Sequence, residues 1–329
     1  MIDQWGRRIN YMRISVTDRC NLRCVYCMPL TGVTLGPHSE YLTYEELLRV
    51  VQAAVSLGID RIRVTGGEPL VRKGIVGFLS RLKPLGVTDL SLTTNGLLFP
   101  AMAKDLKAAG VDRVNTSLDT LRPDRFTKIA RLEGSPAQVL EAVEAALELG
   151  MEPVKVNMVV IRGWNDDEIP DLARLTLDRP IHMRYIEVMP FSEAHQFTAE
   201  NLVPAAEMRE RLIDAFGDLE PVREGVKGNG PARYWRVPGA KGTVGFISAV
   251  TECFCAGCNR VRLSADGKIN PCLGHVHEVD LKPLIRSPEA TDEDLKNALA
   301  DAILKKPREH NFDDVQSDYV LRVMHGIGG

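Results

Sequence analysis

The chain has 329 residues, 44% of them hydrophobic and 26% charged, with a net charge of −3. That length buries a large core and predicts about two domains, while the near-balance of charge excludes a global field that draws in nucleic acid or an anionic membrane. No apolar run is long enough to span a bilayer, and residues 1–10 lack the apolar core of a secretion signal, so a cytoplasmic protein without nucleic-acid or membrane partners is expected.

The first predicted strand covers 11–16, where Met12, Ile14 and Val16 alternate with Tyr11, Arg13 and Ser15. It runs into Arg19-Cys20-Asn21-Leu22-Arg23-Cys24-Val25-Tyr26-Cys27, a C-x3-C-x2-C spacing. In a reducing compartment such cysteines are expected to bind metal rather than to pair as disulfides. Three thiolates can hold three irons of a [4Fe–4S] cube, whose usual complement is four cysteines, and leave one iron open to a small molecule. Zinc or plain structural thiols are the rival, although zinc prefers four ligands and only the distant His38 offers another.

Next comes a helix, with a capping box of Thr43 and Glu46, an apolar stripe of Leu47, Val50, Val51, Ala54 and Val55, and Gly58 as its left-handed stop. In the second strand Ile62 and Val64 oppose Arg61, Arg63 and Thr65, and it ends in Thr65-Gly66-Gly67-Glu68-Pro69. Two glycines there let backbone approach a ligand closely. Standing alone, the same loop reads as a simple turn.

The third strand sets Leu90 and Leu92 against Asp89, Ser91 and Thr93. The fourth presents Arg113, Asn115 and Ser117, and the fifth Lys155 and Asn157. Between these two a helix opens at Ser135, Pro136 and Gln138 and stops at Gly150. A last strand around 181–188 does not alternate cleanly, so its register stays open.

Helices between successive strands imply a parallel sheet with right-handed crossovers. A complete barrel fills its lumen with branched apolar side chains, and a sheet covered on both faces reads as continuously apolar. Here one face is polar and partly cationic. The expected fold is therefore α/β: an incomplete (β/α)6 TIM-type barrel over residues 1–216, open enough to hold a polar ligand. A smaller C-terminal α+β domain is expected over 217–329, where glycine and proline punctuate short strands.

That second region carries Phe254-Cys255-Ala256-Gly257-Cys258, and then Cys272. A two-residue turn at Asp266-Gly267 pairs 260–265 with 268–273, sets Cys272 opposite Val261, and lets the three thiols share one site. An iron–sulfur cluster and zinc both fit, zinc with Cys253, His275 or His277 as a fourth ligand. Arg260 and Arg262 project from one face of this strand and Val261 from the other. Two guanidiniums beside a metal suit a phosphate or a base edge.

The C-x3-C-x2-C spacing with an aromatic before its last cysteine, together with the Gly-Gly-Glu-Pro loop, resembles the radical S-adenosylmethionine (SAM) superfamily. Arg13-Ile-Ser-Val-Thr-Asp-Arg-Cys20, Phe254-Cys-Ala-Gly-Cys-Asn-Arg-Val-Arg-Leu263 and the terminal Gly328-Gly329 extend the likeness, essentially end to end, to the GTP 3′,8-cyclase family of molybdenum cofactor biosynthesis. That resemblance implies SAM and two [4Fe–4S] clusters, one on Cys20, Cys24 and Cys27, the other on Cys255, Cys258 and Cys272 and holding the guanine. A 5′-deoxyadenosyl radical from SAM removes the 3′ hydrogen of GTP, and C3′ then joins C8 to give (8S)-3′,8-cyclo-7,8-dihydro-GTP. No side chain serves as the catalyst.

By the same resemblance, SAM contacts fall on Tyr26, Gly67, Ser117 and Met189. GTP contacts fall on Arg13, Arg63, Thr93, Lys155, Arg260, Val261 and Arg262, and Gly328-Gly329 reaches into the active site. An electron donor, a homodimer and a downstream cyclic pyranopterin monophosphate synthase are implied as partners. Cys253 lies outside the three-thiolate pattern. Two rival readings stand beside this one: a radical SAM enzyme acting on a peptide, and a metal-dependent binding or sensing module.

Overall fold

A strand that alternates apolar and polar residues can bury one side against helices and keep the other for a ligand. Six strands do so in turn in the computed structural model, which describes residues 1–29, 31, 37–189, 197, 199–223, 226–275, 277–310, 312 and 326. They are β1 (Tyr11–Ser15), β2 (Arg61–Thr65), β3 (Asp89–Thr94), β4 (Arg113–Ser117), β5 (Lys155–Val160) and β6 (His182–Glu187). Between them run α1 (Tyr44–Ser56), α2 (Ile75–Ser80), α3 (Phe99–Ala108), α4 (Pro123–Ala130), α5 (Pro136–Glu148) and α6 (Ile169–Asp178), and α7 (Ala205–Phe216) follows. Capping boxes start α1 at Thr43 with Glu46 and α5 at Ser135 with Gln138. Each gives partners to backbone N–H groups that the first helical turn leaves unpaired.

Met12, Ile14, Ile62, Val64, Leu90 and Leu92 are fully buried in the core beneath the helices. Their neighbours Arg13, Arg63, Thr93 and Ser117 face the opposite side. The register of β6, open in the sequence, follows the same rule: Met183 and Tyr185 join the core, and Arg184 and Ile186 turn inward. Tyr185 can lie outward because its hydroxyl donates to the Ile169 carbonyl of α6 at 2.7 Å. Its polar tip is thereby satisfied, and the ring counts as core.

The six strands are parallel and adjacent in chain order. The C-terminal part then extends this sheet at both edges. Strand β9 (Thr243–Ile247) pairs in parallel with β6, and β10 (Arg260–Leu263) pairs in parallel with β1. Antiparallel strands continue outward, β8 (Arg233–Arg236) and β7 (Glu220–Val222) beyond β9, β11 (Lys268–Asn270) and β12 (Val279–Asp280) beyond β10. Helices α8 (Lys282–Arg286) and α9 (Asp292–Leu304) complete the chain order, with α9 packed on α1. Strands β9 and β10 do not pair with one another, so the barrel stays open. Among the described residues no helix is long and apolar enough to cross a membrane.

The β10–β11 hairpin differs from expectation by one residue. Its ladder pairs Leu263 with Ile269 and Arg262 with Asn270, leaving Ala265, Asp266 and Gly267 in the loop. Gly267 has φ +91, the left-handed position of a three-residue loop. Ser264 fixes that loop, its carbonyl accepting from Gly267 N at 3.1 Å and its hydroxyl from Lys268 N at 2.9 Å. The two-residue turn that set Cys272 opposite Val261 is thus displaced, and the ladder carried two residues on sets Cys272 beside Arg260. A one-residue slip exchanges the faces of a strand. It moves Cys272 from the core side, where Val261 is buried, to the side of Arg260 and Arg262.

Candidate active site

The polar sides of the strands surround a cavity of about 310 Å³, large enough for a small-molecule site. Cys20, Cys24 and Cys27 line it, and so do Cys255, Cys258 and Cys272. Two cysteine groups separated by more than 220 residues of sequence therefore open on one void.

The first group sits in the loop after β1. Arg23 N donates to Ala130 O at 2.8 Å and Val25 N to Ile129 O at 2.9 Å, pinning this loop to the end of α4. Cys27 N and Met28 N both donate to the Cys24 carbonyl, which folds the loop tightly. Burial pushes the Cys20 thiol up to about 11 and Cys27 up to about 12, and it raises Cys24 well above the usual range. A metal must therefore displace three protons from desolvated thiols on binding.

Gly66 and Gly67 are required here by a close approach of backbone. A side chain on Gly66 would stand 2.7 Å from the Thr17 carbonyl, and one on Gly67 would collide with the Arg19 carbonyl. The pair lies flat on residues 17–19, with Gly67 N donating to Thr17 O at 2.7 Å and Glu68 N to Arg19 O at 2.8 Å. The glycines thus fix the approach to Cys20 as well as lining the cavity. Glu68, fully buried, accepts from Leu70 N, Thr94 Oγ1 and Asn95 N at 2.7–3.0 Å. Asn95 in turn points Nδ2 at Asn21 Oδ1, 2.7 Å away, and at the Cys20 sulfur, 3.9 Å away. Across the mouth the Tyr26 hydroxyl donates to Asp119 Oδ2 at 2.7 Å, while Asp119 Oδ1 accepts from Val159 N at 2.9 Å. Burial raises Asp119 to about 6.

The second group stands in a cationic setting. The Arg260 guanidinium lies 5.0 Å from the centre of the Phe254 ring, and Lys306 Nζ donates to the carbonyls of Arg260 and Pro271. Burial opposes ionisation of Cys258, but Arg260 and Lys306 outweigh it and bring the thiol down to about 6. Burial raises Cys255 to about 12 and also raises Cys272.

Cations dominate the rest of the lumen. Burial lowers Arg13 well below its ordinary range, with Arg262 adding to the effect, and lowers Arg63 and Arg262 to about 10. Lys155 falls to about 6 through burial and the neighbouring Arg184 and Arg63. Such mutual repulsion in a desolvated space is relieved by an anionic ligand.

Of the residues expected to contact ligands, Tyr26, Gly67, Ser117, Met189, Arg13, Arg63, Thr93, Arg260 and Arg262 line the cavity. Val261 does not, its side chain being in the core. Lys155 lies under the loop after β7: its Nζ donates to Lys227 O at 2.5 Å, and Gly228 packs directly on it. Gly328 and Gly329 fall outside the described residues. Sequence reasoning missed Asp119, Asn95, Arg184 and Lys306. Asp119 continues the inward register of Arg113, Asn115 and Ser117, and Arg184 stands between two core residues, so both carried a readable signal. Lys306 carried none.

Among the described residues only Cys253, Cys255 and His310 bring three ligand atoms within 4.8 Å of one another. A single tetrahedral zinc, with Zn–S about 2.3 Å, draws its sulfurs to about 3.8 Å apart. A cube gives each thiolate its own iron and takes a wider triad. The donor sets of both cavity triads fit the cube, and neither triad has all three sulfurs within 4.8 Å of one another.

The Radical SAM superfamily profile matches residues 14–176, and the Molybdenum Cofactor Synthesis C profile matches 181–312. The GTP 3′,8-cyclase of Desulforamulus reducens is 51% identical over 330 residues, covering 100% of both chains. That of Heliobacterium modesticaldum is 49% identical over 333 residues, again with 100% of each covered. Among solved structures, Streptococcus suis SuiB bound to S-adenosylmethionine superposes with a TM-score of 0.62 at 14% identity, covering 95% of this chain and 76% of SuiB. That last likeness speaks for the fold alone.

Proposed function

The chain belongs to the GTP 3′,8-cyclase family of radical SAM enzymes, and from that premise we propose how its cavity divides the work. The reaction converts GTP to (8S)-3′,8-cyclo-7,8-dihydro-GTP, the first step of molybdenum cofactor biosynthesis, and uses SAM and [4Fe–4S] clusters. Cys20, Cys24 and Cys27 would hold a cube that supplies the electron for SAM cleavage, and Cys255, Cys258 and Cys272 would hold one that serves the guanine end.

The protein's own part is to bind, orient and exclude water. Tyr26, Gly67, Ser117 and Met189 hold SAM at the first triad, and the Asp119 carboxylate offsets its positive charge. Arg13, Arg63, Arg260 and Arg262 hold the triphosphate by charge-assisted hydrogen bonds, with Thr93 beside them. Val261 contributes through its backbone. Lys155 joins once the Lys227 carbonyl gives way to a phosphate oxygen. The observation that carries this reading is that both triads and these guanidiniums line one void.

We place the division of the chain after Phe216, where the alternation of strands and helices ends. The barrel portion then carries SAM, and residues 217–329 carry the second cluster and most of the guanine site. The enzyme works in the cytoplasm as a homodimer, receives electrons from a separate donor, and passes its product to cyclic pyranopterin monophosphate synthase.

The test is anaerobic loading with iron and sulfide to about eight irons per chain, two cubes of four, followed by incubation with GTP, SAM and a reductant. Mass spectrometry is expected to find the cyclised nucleotide with one 5′-deoxyadenosine for each turnover. Its absence from chains carrying both clusters overturns the proposal.

A further inference from the structure

The barrel strands begin at the end away from the first cysteine loop, and several begin on a charged residue. Arg61 opens β2, Asp89 opens β3, Arg113 opens β4 and Lys155 opens β5. None of these four lines the cavity, whose wall includes Arg63, Arg184, Gly230 and Pro231. The loop between β7 and β8 lies across this end.

Asn229 fixes that loop. Its Oδ1 accepts from Arg61 Nη1, and its Nδ2 donates to Asp89 Oδ2 at 2.8 Å. Asp89 is held in turn by Arg113, whose Nε donates to its Oδ1 at 2.9 Å. Gly228 has φ +145 and packs so closely that a side chain there would collide with Lys155 Nζ and stand 3.1 Å from Arg113 Nη1. Further on, Gly230 and Pro231 border both the main cavity and a second void of about 150 Å³, which Phe254, Cys258 and Arg260 also line. One short loop thus joins the base of the barrel to the second cysteine group.

Positive charge prevails beneath the loop. Arg184, Arg63 and Arg113 oppose a proton on Lys155, and Asp89 favours it. Among the described residues, Arg113 Nη1 and Arg184 Nε are buried without a hydrogen-bond partner. Such donors suit the oxygens of an anion.

We propose that Asn229 is a positioning residue that latches this loop over the base of the barrel, and so makes the site select a nucleoside triphosphate over the diphosphate. The selection rests on the GTP reading given above, whereas the latch does not. A closed loop keeps water from Lys155 and Arg113, and charges attract more strongly where water is excluded. A phosphate that reaches the base gains most from these cations, and Lys155 exchanges the Lys227 carbonyl for one of its oxygens. GDP ends one phosphate short of them.

Two measurements on the full-length, cluster-loaded chain test this. In the ligand-free protein, Asn229→Ala is expected to speed trypsin cleavage after Lys227 by about tenfold, the loss of a charge-assisted hydrogen bond, with iron content and Tm unchanged. Arg61→Met, which removes the partner of Asn229 Oδ1 from outside the loop, is expected to do likewise. Unchanged cleavage in both variants overturns the latch. In anaerobic calorimetry Asn229→Ala is expected to weaken GTP about tenfold and GDP by less than about twofold, and in turnover KM for GTP rises while kcat at saturation holds. Equal losses for the two nucleotides, or none, overturn the selection. Failure of the unaltered chain to bind GTP counts against the GTP reading and the selection together, and cleavage after Lys227 still decides the latch.

Discussion

At the first triad burial prevails: Cys20 rises to about 11 and Cys27 to about 12, the charges on Asp119 and Glu68 act in the same upward direction, and Arg23 with the hydrogen bonds to Cys20 offsets only part of the rise. At the second, burial also acts upward on Cys258, but Arg260 and Lys306 reverse it to about 6. The two groups have the same ligand type and share one cavity, yet they differ at one thiol: Arg260 and Lys306 bring Cys258 down, whereas Cys255 and Cys272 are raised by burial like the thiols of the first triad. Metal ligation alone does not require that difference, because three thiolates suffice for each cube. The ligands proposed for the two ends account for it. SAM carries a sulfonium and GTP a triphosphate, so one cavity must favour positive charge at one end and negative charge at the other.

The sharpest way to break this comparison is at the cysteines. Cys24→Ala is expected to abolish 5′-deoxyadenosine release and to remove about four of eight irons, while GTP binding at the other end persists. Retained SAM cleavage contradicts the assignment of the first triad. Next in size is Arg262→Ala. Loss of one buried partner of a charged hydrogen bond costs about 3 kcal/mol, on the order of 10² in Kd for GTP. Uncoupled SAM cleavage should continue, and an unchanged GTP affinity by calorimetry removes Arg262 from the anion end.

Asp119→Asn keeps the size of the side chain and removes its charge. SAM affinity is expected to fall about tenfold, the worth of about 1.4 kcal/mol, with GTP affinity unaltered; an equal loss for both ligands denies the division of charge. The smallest effect is on pH. Lys155, lowered to about 6 in the free protein, is neutral above that pH and regains its proton when the triphosphate arrives. GTP binding above pH 6 therefore takes up a proton, and affinity falls as pH rises, by at most about tenfold per pH unit. Calorimetry in buffers of differing ionisation enthalpy measures that uptake, and zero uptake at pH 8 removes Lys155 from the phosphate site.

Much of the barrel was legible because its signal is local. Alternation in Tyr11–Ser15 and Arg61–Thr65 states which side each residue takes, and the capping boxes at Thr43 and Ser135 mark helix starts. What failed was long-range. Nothing in Arg260–Leu263 names Tyr11–Ser15 as its partner, so the pairing by which the C-terminal part continues the barrel sheet was not legible. The Asp266-Gly267 pair suggested a two-residue turn, yet Ser264 captures Lys268 and sets a three-residue loop that moves Cys272 to the cavity side. Lys155 sits on the inward register, but that register does not disclose that Lys227 and Gly228 lie over it. His310 lies on a segment held by residues far away in sequence, among them Arg7, which donates to the carbonyls of residues 307 and 308.

The central claim is that SAM at the first triad and GTP at the second meet inside one cavity. GTP deuterated at C3′ tests it directly, in anaerobic turnover with unlabelled SAM and mass analysis of the 5′-deoxyadenosine. The account predicts one deuterium transferred into 5′-deoxyadenosine, together with cyclised nucleotide that has lost it. Unlabelled 5′-deoxyadenosine alongside GTP that retains its deuterium would contradict it.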